Sequence, residues 1–236
     1  MTESLSKKDG KHFWKYDPMC FQDVSCSIFE ADYWKAKNAI TGQESGRGTT
    51  WFVKHHNHEL VLRHYLRGGM MRHVSHDRYI FNGLKKTRSF AEFDILNALL
   101  KRNLPVPKPA AAQVIQHGLF YEADLLTHKI PEAQDLVQVL HQAQTETFYQ
   151  ELGSLIAKFH QQGVFHADLN IQNILQDSKG KFWLIDFDRA QILPPQSKWQ
   201  QATLKRLKRS FEKERGRFDI SWSEQDWTSL MQGYQL

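Results

Sequence analysis

Short runs of apolar and aromatic residues predict that the first half of the chain is rich in β-strands. Residues 51–55 and 60–65 are two such runs, and the polar segment between them is typical of a hairpin turn. Residues 112–116 and 119–126 predict two more strands. The first twelve residues are polar, and we expect them to be frayed.

Helical spacing appears where apolar residues recur every three or four positions. Residues 89–103 show it, with Ser89 as the predicted N-cap, and the prolines within 104–109 end the helix. A second helix carries an apolar stripe and stops at Gly163. Its stripe consists of Leu152, Leu155, Ile156 and Phe159. The pattern is mostly helical from about residue 131, so the predicted fold class is α+β.

Polar residues interrupt the apolar stretch GVFHADLNIQNILQ at 163–176, where unpaired polar groups cost free energy. His166, Asp168 and Asn173 follow the H-x-D-L-x-x-x-N spacing of a kinase catalytic loop, and Asp186 ends a later apolar run. In such a loop Asp168 accepts the proton of the attacking hydroxyl, Asn173 and Asp186 bind magnesium beside the ATP phosphates, and His166 supports the backbone. These residue types are common in turns, but their joint spacing favours a phosphoryl-transfer site.

A glycine-containing segment precedes the predicted hairpin. Residues 46–53 fit the G-x-G-x-x-G-x-V pattern, except that Trp51 replaces the third glycine. Backbone N–H groups at Gly46 and Gly48 can approach phosphates closely. In this position we favour a hairpin that covers ATP over an ordinary turn.

A cation is expected on the next strand, where kinases carry a lysine over the phosphates. Arg63 takes that place, and Lys54 on the preceding strand is a rival candidate. Arginine is always charged and can grip phosphate with two N–H donors. Glu92, on the predicted helix, would pair with Arg63 and hold it in place; the alternative is a solvated surface glutamate.

The net charge and the apolar content of the chain indicate which partners it can bind and in which cellular compartment it is expected. The 236 residues carry a formal net charge of +5, which indicates an anionic partner: a nucleotide, an acidic membrane surface or nucleic acid. Nucleic acid is disfavoured because no recognition motif accompanies the charge. The N-terminus lacks the apolar core of a signal peptide and no apolar run is long enough to cross a bilayer, so we expect a cytosolic protein.

Metal binding by cysteine and histidine is not expected from the sequence. Cys20 and Cys26 form no CxxC pair and are interpreted as two reduced thiols. His55, His56 and His58 lie close together, but no cysteine accompanies them, so they are interpreted as loop residues.

The motifs together resemble the protein-kinase-like fold and, more narrowly, the 3-deoxy-D-manno-octulosonic acid (Kdo) kinase family of lipopolysaccharide assembly. The similar blocks, between residues 46 and 189, are GRGTTWFV, VLRHYLRGG, DRYIFNGL, TRSFAEF, LPVPKP, FHADLNIQNIL and LIDFDR. The resemblance implies ATP-dependent phosphorylation of the 4-hydroxyl of Kdo on lipid A precursor. It implies Asp168 as the catalytic base, with Asn173 and Asp186 as metal ligands. It also implies a peripheral protein at the cytoplasmic face of the inner membrane.

Departures from protein kinases bear on the substrate. Asp188 stands where the DFG motif has glycine, which puts a glycine-dependent flip in doubt and offers a second carboxylate near the metal. Only a short segment separates Asp186 from the basic tail, and no APE motif follows. We therefore favour a small or lipid-linked hydroxyl acceptor over a protein.

The basic tail, residues 198–217, predicts a helix with one apolar stripe. The helix is interpreted as solvated, as a surface for acidic lipid headgroups or the phosphates of lipid A, or as both. Lys205, Arg206, Lys208 and Arg209 are assigned no part in the nucleotide site. The stripe is Leu204, Leu207 and Phe211, and the basic residues are Lys205, Arg206, Lys208, Arg209 and Lys213.

The prediction is a single kinase-like domain over residues 1–236, with an antiparallel-sheet N-lobe (about 20–127), a mostly helical C-lobe (about 128–236) and ATP between them. Two alternatives remain open. One is another sugar or small-molecule kinase of this fold, of the heptose or aminoglycoside type. The other is a pseudokinase that binds lipid or a partner without transferring phosphate.

Overall fold

The computed structural model describes residues 3–45, 48–66 and 78–235, which divide into two compact units. The first unit contains the described residues up to Lys101 together with Pro107–Lys129. The second contains Arg102–Val106 and the described residues from Ile130 onward. The fold is mixed, since the first unit is built on an antiparallel sheet and the second holds most of the helical residues.

Eight antiparallel strands form the sheet of the first unit. They are β1 Leu5–Asp9, β2 His12–Tyr16, β3 Ile40–Ser45, β4 Thr49–His55, β5 His58–His64, β6 Tyr79–Ile80, β7 Pro109–His117 and β8 Phe120–His128. Their order is β1-β2-β7-β8-β5-β4-β3, and β6 pairs with β8. The predicted hairpin is confirmed as β4–β5, and the two later strands are confirmed as β7 and β8.

Two predictions for this unit are wrong. From Leu5 onward the N-terminal segment is not frayed, because β1 and β2 pair along their whole length; β1 is an edge strand, where polar side chains stay solvated. Ser89 does not cap the helix, which is α2, Arg88–Lys101. Its hydroxyl instead donates to the carbonyl oxygen of Gln113 on β7, at 2.7 Å. The serine at position 89 therefore serves a hydrogen bond between α2 and the sheet, not the start of the helix.

Apolar clusters cover both faces of the sheet. Phe90 and Phe93 of α2 pack against residues of β7 and β8 that include Leu125. Leu126, the next residue of β8, belongs to another cluster with Trp34 of α1, Ala31–Ala36. Because successive residues of a strand point to opposite faces, the sheet is buried on both sides.

Four helices and five short strands are described in the second unit. The helices are α3 Leu136–Val139, α4 Glu146–Gln161, α5 Ser197–Phe218 and α6 Glu224–Gln235. The strands are β9 Gln134–Asp135, β10 Val164–Phe165, β11 Ile174–Gln176, β12 Phe182–Leu184 and β13 Gln191–Ile192. β9, β11 and β12 form one sheet, and β10 pairs with β13. None of the helices in the described ranges combines the length and the apolar character needed to span a bilayer.

The predicted stop after α4 is confirmed at Gly163. Its φ angle is +73°, in the left-handed region that favours glycine, and a Cβ there would collide with the carbonyl oxygen of Leu193. The chain can therefore turn sharply out of the helix into β10.

Helices α4 and α6 meet at two glycines. A Cβ on Gly153 would collide with the carbonyl oxygen of Leu230, and a Cβ on Gly233 would collide with that of Gln150. The two backbones are thus in direct contact, and a side chain at either glycine would force the helices apart.

Candidate active site

The predicted catalytic loop runs from β10 to β11 and presents an exposed carboxylate. Leu169 is buried beneath the loop, whereas the side chain of Asp168 is 51% exposed. Asn170 closes the following turn, because its Oδ1 accepts hydrogen bonds from the backbone N–H groups of Gln172 and Asn173, at 2.9 and 3.2 Å. Apolar anchoring and the side-chain cap together fix the loop while Asp168 stays accessible.

His166 ties this loop to the segment that carries Asp186. Its ring is buried; Nδ1 accepts the backbone N–H of Asp168 at 3.2 Å, so the proton is on Nε2, which donates to the carbonyl oxygen of Ile185 at 3.0 Å. Burial lowers the pKa of His166, so the ring is neutral at pH 7. The predicted support of the loop backbone by His166 is confirmed.

Asn173 and Asp186 lie at the same end of the β11–β12 hairpin. The backbone N–H of Ile185 donates to the carbonyl oxygen of Asn173 at 3.0 Å, and Asp186 is the next residue. The amide Nδ2 of Asn173 donates to the carbonyl oxygen of Asp168 at 2.9 Å. This bond fixes the amide so that Oδ1 is the atom able to bind a cation.

Asp186 has a left-handed backbone conformation, which aspartate tolerates better than most residues. Its φ angle is +62°, in the left-handed region, where a side chain costs about 1 kcal/mol. The amide oxygen of Asn173 and the carboxylate of Asp186 are hard oxygen donors, so the residues present fit a magnesium ion. The suggested extra carboxylate of Asp188 stays a prediction.

Arg206, on the basic helix α5, contacts the predicted catalytic aspartate. Its Nη1 lies 3.0 Å from Oδ1 of Asp168, a contact that the sequence interpretation did not foresee; whether Arg206 takes part in the nucleotide site stays a prediction. One turn further along α5, the Ser210 hydroxyl accepts the backbone N–H of Ile171 at 3.1 Å. Positions 206 and 210 share a helix face, which explains how one helix contacts both parts of the loop. No sequence pattern links position 206 to position 168.

The rest of α5 agrees with the predicted amphipathic helix. The stripe of Leu204, Leu207 and Phe211 is buried. Lys208 and Lys213 make ion pairs with glutamates, with N–O distances of 2.7 and 3.1 Å. Lys205 and Arg209 are exposed and make no ion pair among the residues that the structure describes.

In the first unit, Arg63 and Glu92 form the predicted ion pair, with 2.5 Å between Nη2 and Oε2. Glu92 is 3% exposed, and the Tyr65 hydroxyl donates to the same Oε2 atom, so the alternative of a solvated glutamate is wrong. Lys54, the rival cation, is exposed on β4 and has no ion pair within the described part of the chain. The buried carboxylate of Glu92 accepts hydrogen bonds from both Arg63 and Tyr65, and so it fixes the arginine in one position.

Gly48 lies between the paired strands β3 and β4. A Cβ at this position would lie 2.5 Å from Cδ1 of Leu66, the end of a flexible side chain that can move aside, so packing does not require glycine here. Gly46 lies outside the described residues, and the phosphate contacts of both glycines stay predictions.

An exposed aspartate beside two oxygen ligands, and an arginine held by a buried glutamate, are typical of enzymes that transfer a phosphoryl group to a hydroxyl. The chain belongs to the lipopolysaccharide kinase (Kdo/WaaP) family, which matches residues 31–234. The family resemblance noted in the sequence is thereby confirmed.

Similar proteins are named 3-deoxy-D-manno-octulosonic acid kinase. The protein of Vibrio parahaemolyticus is 43% identical over 224 residues, which are 94% of each chain. That of Vibrio vulnificus is 45% identical over 224 residues, 93% of each chain. That of Photobacterium profundum is 41% identical over 229 residues, 97% of this chain and 96% of the relative.

Proposed function

We propose that this chain is a Kdo kinase, which transfers the γ-phosphoryl group of ATP to the 4-hydroxyl of Kdo on lipid A precursor. Relatives named for this sugar acid, similar over nearly the whole chain, support the acceptor. The observation that carries the chemistry is the exposed Asp168 on a loop tied by His166 to the segment of Asp186. The two units would be the N-lobe and C-lobe of a protein-kinase-like fold.

In the proposed reaction, Asp168 accepts the proton of the acceptor hydroxyl. The hydroxyl oxygen forms the new bond to phosphorus, the bond from phosphorus to the bridging oxygen breaks, and ADP leaves with that oxygen. Asn173 and Asp186 would hold magnesium, which supplies neutralisation of the phosphate charge. Arg206 is a positioning residue, because its guanidinium holds Oδ1 of Asp168 in one direction.

Arg63 is proposed to bind the ATP phosphates. Glu92, the ion-pair partner of Arg63, is buried. The guanidinium of Arg63 also lies 3.2 Å from the Tyr65 hydroxyl, so this cation is preorganised. The backbone at Gly48 would approach the same phosphates.

The reaction is tested with γ-labelled ATP and four acceptors: Kdo-bearing lipid A precursor, free Kdo, heptose-bearing core and a generic protein. We expect magnesium-dependent label on the Kdo-bearing precursor. Asp168→Asn should lose transfer by roughly two to four orders of magnitude while still binding ATP. Label on heptose or protein alone would contradict the proposed acceptor, and no transfer to any acceptor would favour the pseudokinase alternative.

We further propose that the enzyme is held at the cytoplasmic face of the inner membrane by α5. Lys205 and Arg209 are exposed, and a basic residue near an anionic leaflet gains about 1 kcal/mol. Changing both to glutamine should lower the affinity for anionic liposomes, measured by co-sedimentation, by roughly thirtyfold. The matched control changes Lys85 and Lys86, which are exposed and carry the same charge, and it should bind like wild type. Equal sedimentation of both variants would refute the membrane role of α5.

A further inference from the structure

The first unit brings a cysteine and two histidines together from distant parts of the chain. Sγ of Cys20 and one ring nitrogen each of His58 and His128 all lie within 4.8 Å of one another. Cys20 follows β2, His58 begins β5 and His128 ends β8. Because β5 and β8 are paired with Leu60 opposite His128, the two histidines come to the same end of the sheet. The sequence interpretation found no cysteine near His55, His56 and His58, and the fold supplies one near His58.

Packing alone does not account for the polar atoms of this group. The buried Nε2 of His128 has no hydrogen-bond partner in the described ranges, which is costly for a buried polar atom. The rings of His58 and His128 meet edge to face, with centroids 5.1 Å apart. Among the residues that the structure describes, no hydrogen bond joins these three donor atoms, so their lone pairs are available to a metal ion.

The donor types select the kind of cation. Thiolate and imidazole bind zinc and similar borderline divalent ions, whereas magnesium and calcium prefer oxygen. Bonds of about 2.0–2.3 Å in a tetrahedral zinc site place the ligand atoms roughly 3.3–3.8 Å apart. Separations of up to 4.8 Å therefore require the side chains to close by at most about 1.5 Å, which rotation of side chains can supply.

We propose that Cys20, His58 and His128 form a binding site for a zinc-class divalent ion, with a water molecule as the fourth ligand. On binding, the Cys20 thiol releases its proton to solvent and the sulfur forms a bond to the metal. The ion would join the turn after β2 to β5 and β8, and so would stabilise the first unit. None of the residues proposed for phosphoryl transfer takes part.

Cobalt(II) is the probe that tests this site, because a bound thiolate gives a sulfur-to-cobalt charge-transfer band. We expect one equivalent of Co²⁺ to bind the metal-free full-length chain, Zn²⁺ to displace it and Mg²⁺ to leave it bound. Cys20→Ser should abolish the band, and His58→Gln should weaken affinity at least about tenfold. Since His58 is only partly buried, its variant tests the site even if Cys20→Ser folds poorly.

Cys26 provides the matched control. Its Sγ lies 3.1 Å from Nδ1 of His12, so it is a thiol beside one histidine, not two. We expect Zn²⁺ to raise the Tm of the wild type. Cys26→Ser should keep this rise and the cobalt band, whereas Cys20→Ser should lose both. The proposal is overturned if wild type takes up no stoichiometric Co²⁺, or if Cys26→Ser loses the band.

Discussion

Replacing Arg206 with glutamine separates a role in catalysis from a role in stability. Nη1 of Arg206 lies 3.0 Å from Oδ1 of Asp168, and the two side chains are 49% and 51% exposed. The substitution removes the charge and the guanidinium but keeps a polar side chain of moderate length. Its effects on the free energy of unfolding and on turnover have different expected sizes.

The effect on stability should be small. Two unit charges at this distance attract by about 1.4 kcal/mol in water, and exposed ion pairs typically contribute about 0.2–1 kcal/mol. For a chain of this length we expect Tm to fall by no more than about 4 °C.

The effect on turnover should be larger if Arg206 positions the base. A hydrogen bond to a charged group contributes about 1.5–3 kcal/mol, and its full loss from the transition state lowers kcat by roughly 10- to 150-fold. KM for ATP should change little. Arg206→Lys, which keeps the charge but not the planar fork, should recover part of kcat.

The assay is transfer of labelled phosphate to an acceptor in detergent micelles, so that membrane attachment does not enter. Lys205→Gln is the control, because it removes one exposed positive charge from the neighbouring position of the same helix. If Arg206→Gln and Lys205→Gln have the same kcat, Arg206 does not position the base and its contact with Asp168 is incidental.

Further predictions concern the metal ligand, the phosphate cation and acid stability. Asp186→Asn should fold, since asparagine tolerates the left-handed conformation, yet lower magnesium-dependent turnover by roughly a hundredfold or more; unchanged turnover would exclude the metal role. Arg63→Met should weaken ATP binding, measured by titration calorimetry, by about 10- to 150-fold, and Lys54→Met should change it little; the reverse order would reassign the phosphate cation. Burial lowers the pKa of His160 from 6.5 to about 4. The unfolded chain then binds a proton that the native state excludes, so stability is lost as pH falls below 6.5, by about 2 kcal/mol at about pH 5. His160→Gln should flatten the pH dependence of the urea midpoint, and the exposed His141→Gln should not.

Local patterns predicted the parts of the site that lie on one loop or one hairpin. His166, Asp168 and Asn173 are fixed by turns and short strands, so their spacing in the sequence carries over directly to the structure. The Arg63–Glu92 pair was predictable because, in the kinase pattern, the phosphate-binding cation on a strand pairs with a glutamate on the helix that follows.

Contacts between distant segments left no trace in local patterns. Arg206 and Asp168 are 38 positions apart, and a basic residue on a basic helix has no feature that marks it for one carboxylate. Ser89 has the residue type of a cap but bonds across to β7. The polar residues of β1 looked disordered because edge strands lack the apolar alternation that identifies a strand.

Because of the glycine contact between α4 and α6, helix α6 helps to hold the predicted catalytic loop in place. α4 leads through Gly163 into β10 and His166, so displacement of α4 would be passed to the loop within a few residues. The Tyr234 hydroxyl lies 2.9 Å from Nδ1 of His160 in the last turn of α4, which adds a second attachment beside Gly233. Shortening α6, or fusing a rigid partner directly to it, should therefore reduce turnover at temperatures where the protein is still folded. An expression tag for this enzyme is better separated from α6 by a flexible linker.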